Sequence, residues 1–526
     1  MRKLSTLFCA VLMTLSAMAT DYKGNLTVSI NGEGSTQPAT ISIVENAGKY
    51  NLSILNFMLG EGESVLPVGN IVIENVTGAV AGNLTTLYVN KNITIQKGNV
   101  AGIAEEDWLG PLLGNVPVEM NARFTGEGYV VTDIHINMVE LGQVIDVKFE
   151  NVGTHFQMPN SDFETWSDKN NAPKHWHGFE SVKVKNALFN SAKSNTKLIS
   201  SSLIRPGSKG VKSAVVTCSK VVGVIANGTM TNGRLYAGSM KAEDPANHSE
   251  TTLSSTDDKD ANGDPFATPM YAKPDSVKFW MRFTQAQAQA SDPLASFNAV
   301  ITDGTYYQDP ENKTYTNKVA VAAPNKADMT VGDWRLVSCP FDYASYAANG
   351  AEAKAILLTV STNATPGKGS YSNGVADSVY VDDLELVYLA DIKSVSFKGA
   401  TLDLTNTDID IADDDVISAS DFVVEKIGED AKVTTLVEAN AKGYQAVISV
   451  VSGDLNTQKT LVFNFNKPVW ADGDVNHDGV VDLADVTLLI NKVLGADATQ
   501  LYNPDVNADG NVDVADVTTL VSLILG

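Results

Sequence analysis

Hydrophobic and polar residues alternate with a period of two over much of the first 157 residues. Leu26-Val28-Ile30 is one such run, and Tyr129-Val131 with Ile134-Ile136 is another. GNLTVSING, ATISIVENAGKYNLSILNF, GNIVIENVTG, TLYVNKNITIQKG and YVVTDIHINM share this character and are bounded by turn residues. A period of two places alternate side chains on opposite faces, so these are half-buried strands. Regular strands with short turns predict an antiparallel barrel or sandwich, and closure would remove exposed edges. From about 158 to 390, short apolar runs such as VGDWRLVSCPFDY, AILLTVSTNATPGKGS and DSVYVDDLELVYL again predict strands, with no sustained helical period. Residues 391–468, from SVSFKGATLDL to KTLVFNFNKP, predict a further small β-domain. The period changes only near the end. Val486, Leu489, Ile490, Val493 and Leu494 fall at helical spacing, as do Val517, Leu520, Val521, Ile524 and Leu525.

Each helical run follows a twelve-residue acidic loop, DVNHDGVVDLAD at 474–485 and DVNADGNVDVAD at 505–516. Between GDVNHDGVVDLADVTLLINKVLG and PDVNADGNVDVADVTTLVSLILG, 14 of 23 positions are identical. Crowded carboxylates repel unless a cation neutralises them, and Ca²⁺ takes six to eight oxygens from fixed positions of such a loop. The expected ligands in the first loop are Asp474, Asn476, Asp478, the Val480 carbonyl, Asp482 and Asp485. In the second they are Asp505, Asn507, Asp509, the Asn511 carbonyl, Asp513 and Asp516. The sequence thus calls for two Ca²⁺ ions. Gly479 and Gly510 stand at the sixth position, where the sharp turn needs positive φ. Val481 and Val512 would pair the loops or plug a core. KPVWADG before Asp474 is extended or turn-like, so no helix enters the first loop.

These two loop–helix repeats resemble a type I dockerin. That resemblance implies helix faces that dock on a cohesin module, with loop positions ten and eleven, here Leu483-Ala484 and Val514-Ala515, choosing the partner. The best-known cellulosomal dockerins carry a Ser-Thr pair there. The more apolar pairs here suit another cohesin or a neighbouring domain of the same chain. YKGNLTVSINGE, LNFML, VGNIVIENV, DWLGPLLGNVPVEM and DIHINMVELGQVIDVKFEN resemble the bacterial calycin-like β-barrel domain. NSDFETWSDKNNAPKHWHGFES, RPGSKGVKSAVVTC and the later runs of the second block resemble the carbohydrate metabolism domain of exported bacterial proteins, a family with a jelly-roll-like β-sandwich. The expected class is therefore mainly β and multi-domain. It comprises a leader over 1–19, a calycin-like barrel over 20–157, a jelly-roll-like sandwich over 158–390, a small β-domain over 391–468, and an all-α dockerin over 472–526.

Composition sharpens the setting. The chain opens MRKLSTLFCAVLMTLSAMAT, a short basic start, an apolar run and Ala17-Met18-Ala19, which predicts an export signal cut after Ala19. The apolar run is shorter than the ~20 residues that span a bilayer, and no later stretch qualifies. The net charge of −24 argues against nucleic acid and anionic membranes, which need basic patches. Past the leader only Cys218 and Cys339 remain, either one disulfide or two buried thiols.

Aromatic faces stack on sugars, so Trp166, Trp176 and Trp334 are candidate glycan contacts, although sandwich cores also absorb such rings. His175 and His177 of HWH would share one face of a strand, but no third metal ligand is apparent. DDKDANGD at 257–264 imitates a calcium loop through Asp258, Asp260, Asn262 and Gly263, yet its twelfth position is Pro269. No spacing among the 62 acidic residues singles out a glycosidase pair. The preferred reading is an exported, non-catalytic, modular protein, in the periplasm, at the cell surface or outside the cell. It binds glycan and is tethered by its dockerin. A dockerin-bearing glycoside hydrolase is one alternative. The other is an adhesion or apolar-ligand protein, which needs a hollow barrel.

Overall fold

The structure is a computed structural model describing residues 19–526 except 61–64, 140–141, 192, 194–196, 222, 256 and 497–500. The predicted leader, up to residue 18, lies outside the described residues. The chain forms two compact units. One comprises the chain up to Ser394 with Val424–Thr434 and Ser449–Thr460; the other comprises Val395–Val423, Thr435–Ile448 and Leu461–Gly526.

The first unit opens with a closed eight-stranded antiparallel barrel. Its strands are β1 (Ala19–Ile30), β2 (Glu33–Asn46), β3 (Lys49–Leu59), β4 (Leu66–Ala81), β5 (Leu84–Thr94), β6 (Asn115–Thr125), β7 (Val130–Met138) and β8 (Gln143–Glu150). Each pairs with its chain neighbour, and β1 meets β8 with Asn25 opposite Glu150 and Ile30 opposite Ile145. The period of two is obeyed: on β6, Val116, Val118, Met120 and Ala122 are buried inward. Tyr22, Tyr50, Phe57, Phe149 and a set of Ile, Leu and Val side chains join them in one continuous core. Eight strands enclose a space that side chains can fill, and here they fill it.

Part of the barrel's outer face is covered as well. Arg123 points outward from β6 yet is wholly buried. Its Nε donates to the Leu455 carbonyl at 2.6 Å and an Nη to the Asn456 carbonyl at 3.1 Å, while the other Nη pairs with Asp133. Leu84 and Val131 pack there with Val451 and Leu455.

The same unit contains a sandwich. One five-stranded sheet runs in the order Lys197–Ser201, Ser213–Thr217, Ser378–Val387, Ser276–Thr284, Gly332–Pro340. Facing it are Thr229–Thr231, Ala355–Ser361, Ser296–Thr302 and Lys318–Ala322, with Thr268–Pro269 beside Ala355–Ser361. On Ser276–Thr284, Val277, Phe279, Met281 and Phe283 point inward; Phe279 stacks on Phe297 of the opposite sheet with centroids 4.2 Å apart. Cys339 lies in this core and Cys218 is buried elsewhere in the sandwich, both as free thiols, and burial pushes them up to about 12 and about 11 respectively. Of the two cysteine readings, the thiol pair is the one observed.

Residues 391–466 form a three-stranded and a four-stranded sheet. In the second unit Phe397, Phe422 and Phe465 pack together, with centroids 4.7 to 5.7 Å apart. The chain ends in α1 (Leu483–Val493) and α2 (Val514–Leu525). Val486, Leu489 and Leu520 form the seam between them, and Val481 packs against it. Leu494 and Leu525, also at helical spacing, are 77% and 81% exposed, so the apolar face is wider than the seam that covers it.

Candidate functional site

The acidic loops lead directly into α1 and α2. Asp482 caps α1, accepting from the Ala484 N–H at 2.6 Å, and Asp485 completes a capping box; Asp513, Ala515 and Asp516 repeat the arrangement at α2. Gly479 and Gly510 sit at φ +90° and +91°. Position four also lies in the left-handed region, at His477 (+56°) and Ala508 (+57°), which the loop pattern did not foretell.

The twelfth-position carboxylates, Asp485 and Asp516, are wholly buried, and Asp474 nearly so. Asp485 accepts from the N–H groups of Asn476 at 3.1 Å and Asp482 at 2.9 Å; Asp516 accepts from Asn507 at 3.1 Å and Asp513 at 2.8 Å. Asp474 accepts from Asp478 and Gly479 at 3.2 and 3.0 Å, and Asp505 from Asp509 and Gly510 at 3.1 and 2.8 Å. Across these four pairs of equivalent bonds the largest difference is 3.0 against 2.8 Å, so both loops adopt one conformation. The N–H groups of Asp513 and then Asn507 hold the Asp516 carboxyl below its usual range. Among the described residues no three His, Cys, Asp or Glu side chains converge tightly enough to hold an ion as they stand, and this is true of both loops. Their carboxylates turn onto the loop's own N–H groups instead.

Four aspartates crowded into each twelve-residue loop repel one another unless a cation lies between them. An all-oxygen donor set of this density fits a hard cation such as Ca²⁺. Asp474, Asn476, Asp478, the Val480 carbonyl and Asp485 would hold it in the first loop, and Asp505, Asn507, Asp509, the Asn511 carbonyl and Asp516 in the second. Asp482 and Asp513, engaged as caps, would act through water, as ninth-position residues often do. Leu483, Ala484, Val514 and Ala515 are all exposed.

The three tryptophans have different fates. Trp176 is 2% exposed, packs against Phe163 and donates its indole N–H to the Asn160 carbonyl at 3.1 Å, so it is a core residue and no sugar contact. Trp166 is half-buried with the Lys212 ammonium 4.5 Å above its ring. Trp334 is half-buried on the outer face of the first sandwich sheet, edge-on to Tyr380 at 6.2 Å. Trp280, a fourth tryptophan of the same block, shares that face: it stands opposite Leu336 and Asp382, and Arg205 lies over its ring at 5.1 Å. Strand register could have flagged it, since Phe279 and Met281 on either side point inward.

HWH is not a regular strand; His175 adopts φ +66° and His177 makes one isolated bridge to Thr231. In DDKDANGD, Asp258 at the first loop position pairs with Arg234 at 2.6 Å. The two segments nevertheless meet, His177 against Asp260 and His175 against Asp264.

No helix among the described residues is long and apolar enough to cross a membrane. Residues 18–152 match the family model of the calycin-like β-barrel domain, and residues 472–525 that of the type I dockerin domain. The chain thus carries both modules around a mainly β middle. Type I dockerins bind calcium, imply a cohesin partner, and usually belong to extracellular or surface-bound proteins. The comparison with curated proteins returned no match. One similar solved structure is a candidate glycoside hydrolase from Bacteroides thetaiotaomicron VPI-5482. It is 10% identical, covers 69% of this chain and 84% of its own, and has a TM-score of 0.28. Another is the M60 catalytic domain with CBM51-1 and CBM51-2 domains from Clostridium perfringens ZmpB, at 9% identity, 86% and 40% coverage and a TM-score of 0.14. At such TM-scores neither carries an argument about this chain.

Proposed function

We propose that this chain is an exported, non-catalytic, modular protein whose sandwich binds glycan and whose dockerin, loaded with two Ca²⁺ ions, tethers it to a cohesin-bearing polysaccharide-degrading complex or cell surface. One observation carries the tether: two acidic loops of the same conformation end in fully buried carboxylates, Asp485 and Asp516, beside exposed Leu483-Ala484 and Val514-Ala515. Calcium neutralises the loops and so couples ion binding to the folding of α1 and α2. The helix faces then present the cohesin-binding surface.

The glycan reading is supported by Trp334, Trp280 and Tyr380 on one outer sheet face, set among the guanidinium groups of Arg205 and Arg282. Ring faces with polar groups beside them suit a pyranose. The test pairs two measurements on the full chain. Binding to a cohesin panel is expected in calcium and not in chelator. Retention on a polysaccharide array is expected without release of reducing ends. Absence of any cohesin complex overturns the tether; reducing-end release transfers the reading to a glycoside hydrolase.

A further inference from the structure

A four-stranded sheet, in the order Tyr307–Asp309, His248–Thr251, Arg234–Ala237, Lys183–Val184, lies against the outside of the second sandwich sheet. Its inner face is buried through Leu235, Ala237, Ser249, Thr251 and Tyr307, and Tyr307 packs on Val300 and Leu357. Alternation puts two cross-strand rows on its other face. In one row Lys183 stands beside Tyr236, and Tyr236 beside His248. In the next, Arg234 stands beside Glu250, and Glu250 beside Gln308. Tyr306, just before the sheet, reaches over this second row and is 42% exposed.

The groups on this face are held in place. Gln308 is buried, because its Nε2 donates to the carbonyls of Pro245 and Pro310 at 3.1 and 3.0 Å. The Nδ1 of His248 is 3.0 Å from the same Pro245 carbonyl, and Tyr236 lies flat on the His248 ring with centroids 5.1 Å apart. Asn317 donates to the Tyr306 carbonyl at 3.1 Å. Arg234 is turned onto Asp258 and Phe266. Hydrogen-bonding capacity is nevertheless left over. The Tyr306 hydroxyl has one proton for two acceptors, Oε2 of Glu250 at 2.9 Å and Oε1 of Gln308 at 3.2 Å. His248 also faces Oε2 of Glu250, at 3.2 Å. Among the described residues Oε1 of Glu250 has no hydrogen-bond partner, and neither has the ammonium of exposed Lys183.

We propose that Lys183, Tyr236, His248, Glu250 and Tyr306 form a second saccharide site, which takes a neutral pyranose unit of a polysaccharide. The exposed Tyr306 ring covers the apolar face of the sugar, Oε1 of Glu250 accepts from its hydroxyls and Lys183 donates to them. A carboxylate and an ammonium on one face favour a neutral sugar, since an acidic or a basic one meets a like charge. The proposal rests on the reading that the sandwich binds glycan, but it uses a different sheet from Trp280, Trp334 and Tyr380.

The test is affinity electrophoresis of the full chain, in calcium, through gels containing galactomannan, xyloglucan, arabinoxylan or dextran. The wild type is expected to be retarded by at least one of them. On that polymer Tyr306→Ala and Glu250→Gln, each with an unchanged circular dichroism spectrum, are expected to bind at least fivefold more weakly. Glu250→Gln keeps the shape of its side chain, so it carries the test should Tyr306→Ala fail to fold. The double variant Trp280→Ala/Trp334→Ala reports on the other face. Wild-type retardation by both Tyr306→Ala and Glu250→Gln overturns this site, and its loss in the tryptophan double variant then leaves the other face standing. No retardation of the wild type by any of the four polymers overturns both.

Discussion

The imidazole of His477 lies flat on the ring of Tyr502, with centroids 3.9 Å apart and planes 12° apart. Trp470 covers its other face at 4.4 Å. The three rings join the segment before the first acidic loop, the loop itself and the connection to the second. His477 holds the left-handed fourth position of that loop, so the stack steadies a backbone turn the loop needs. Aromatic pairs contribute about 0.5–1.5 kcal/mol beyond area burial. Tyr502→Ala is expected to lower the stability of the dockerin by about 1 kcal/mol, measured by thermal unfolding in saturating calcium. An unchanged midpoint would mean the stack is incidental.

Asp485→Ala and Asp516→Ala each remove the buried anchor of one loop. Isothermal titration with calcium is expected to fall from two sites to one in either variant and to none in the double variant. Helicity, followed by circular dichroism, is expected to fall in step, because each anchor also completes the capping box of its helix, an element worth about 1 kcal/mol. A single variant that keeps two sites would disprove the ligand assignment.

Arg123→Met leaves the carbonyls of Leu455 and Asn456 and the Asp133 carboxylate without their donor. Removing one partner of a buried charged network costs about 3 kcal/mol or more. Urea unfolding is expected to show a loss of that size. A loss under about 0.5 kcal/mol, the range of ordinary surface substitutions, would mean the buried guanidinium contributes no net stability.

Burial raises the carboxyl of Asp382 to about 6. The folded state therefore holds this proton more tightly than the unfolded chain, whose aspartates titrate at about 4. The resulting stability is full below about pH 4 and is lost as pH rises through about 6. Asp382→Asn is expected to remove that decline and to be more stable than wild type at pH 8 by about 1–2 kcal/mol, less than the full linkage value because solvent screens part of the effect. Parallel stability curves for the two proteins between pH 4 and 7 would contradict the shift.

Local chemistry was legible along the chain. A period of two set the barrel strands, since each residue of a strand faces opposite to the last and only one face can be apolar and buried; Val116, Val118, Met120 and Ala122 show it. The calcium loops were legible because all their donors lie within twelve consecutive residues, where spacing alone fixes which oxygens can meet. What tertiary structure decided is which outward faces become covered and which distant segments meet. Nothing local told that Arg123 would be buried, because the carbonyls that accept from it under cover lie 332 and 333 residues away. Trp176 became a core residue rather than a sugar contact because Phe163 and Asn160 close over it. HWH and DDKDANGD meet only because the sandwich brings His177 to Asp260. Periodicity and loop spacing are properties of neighbouring residues, whereas burial and long-range pairing depend on how whole sheets pack.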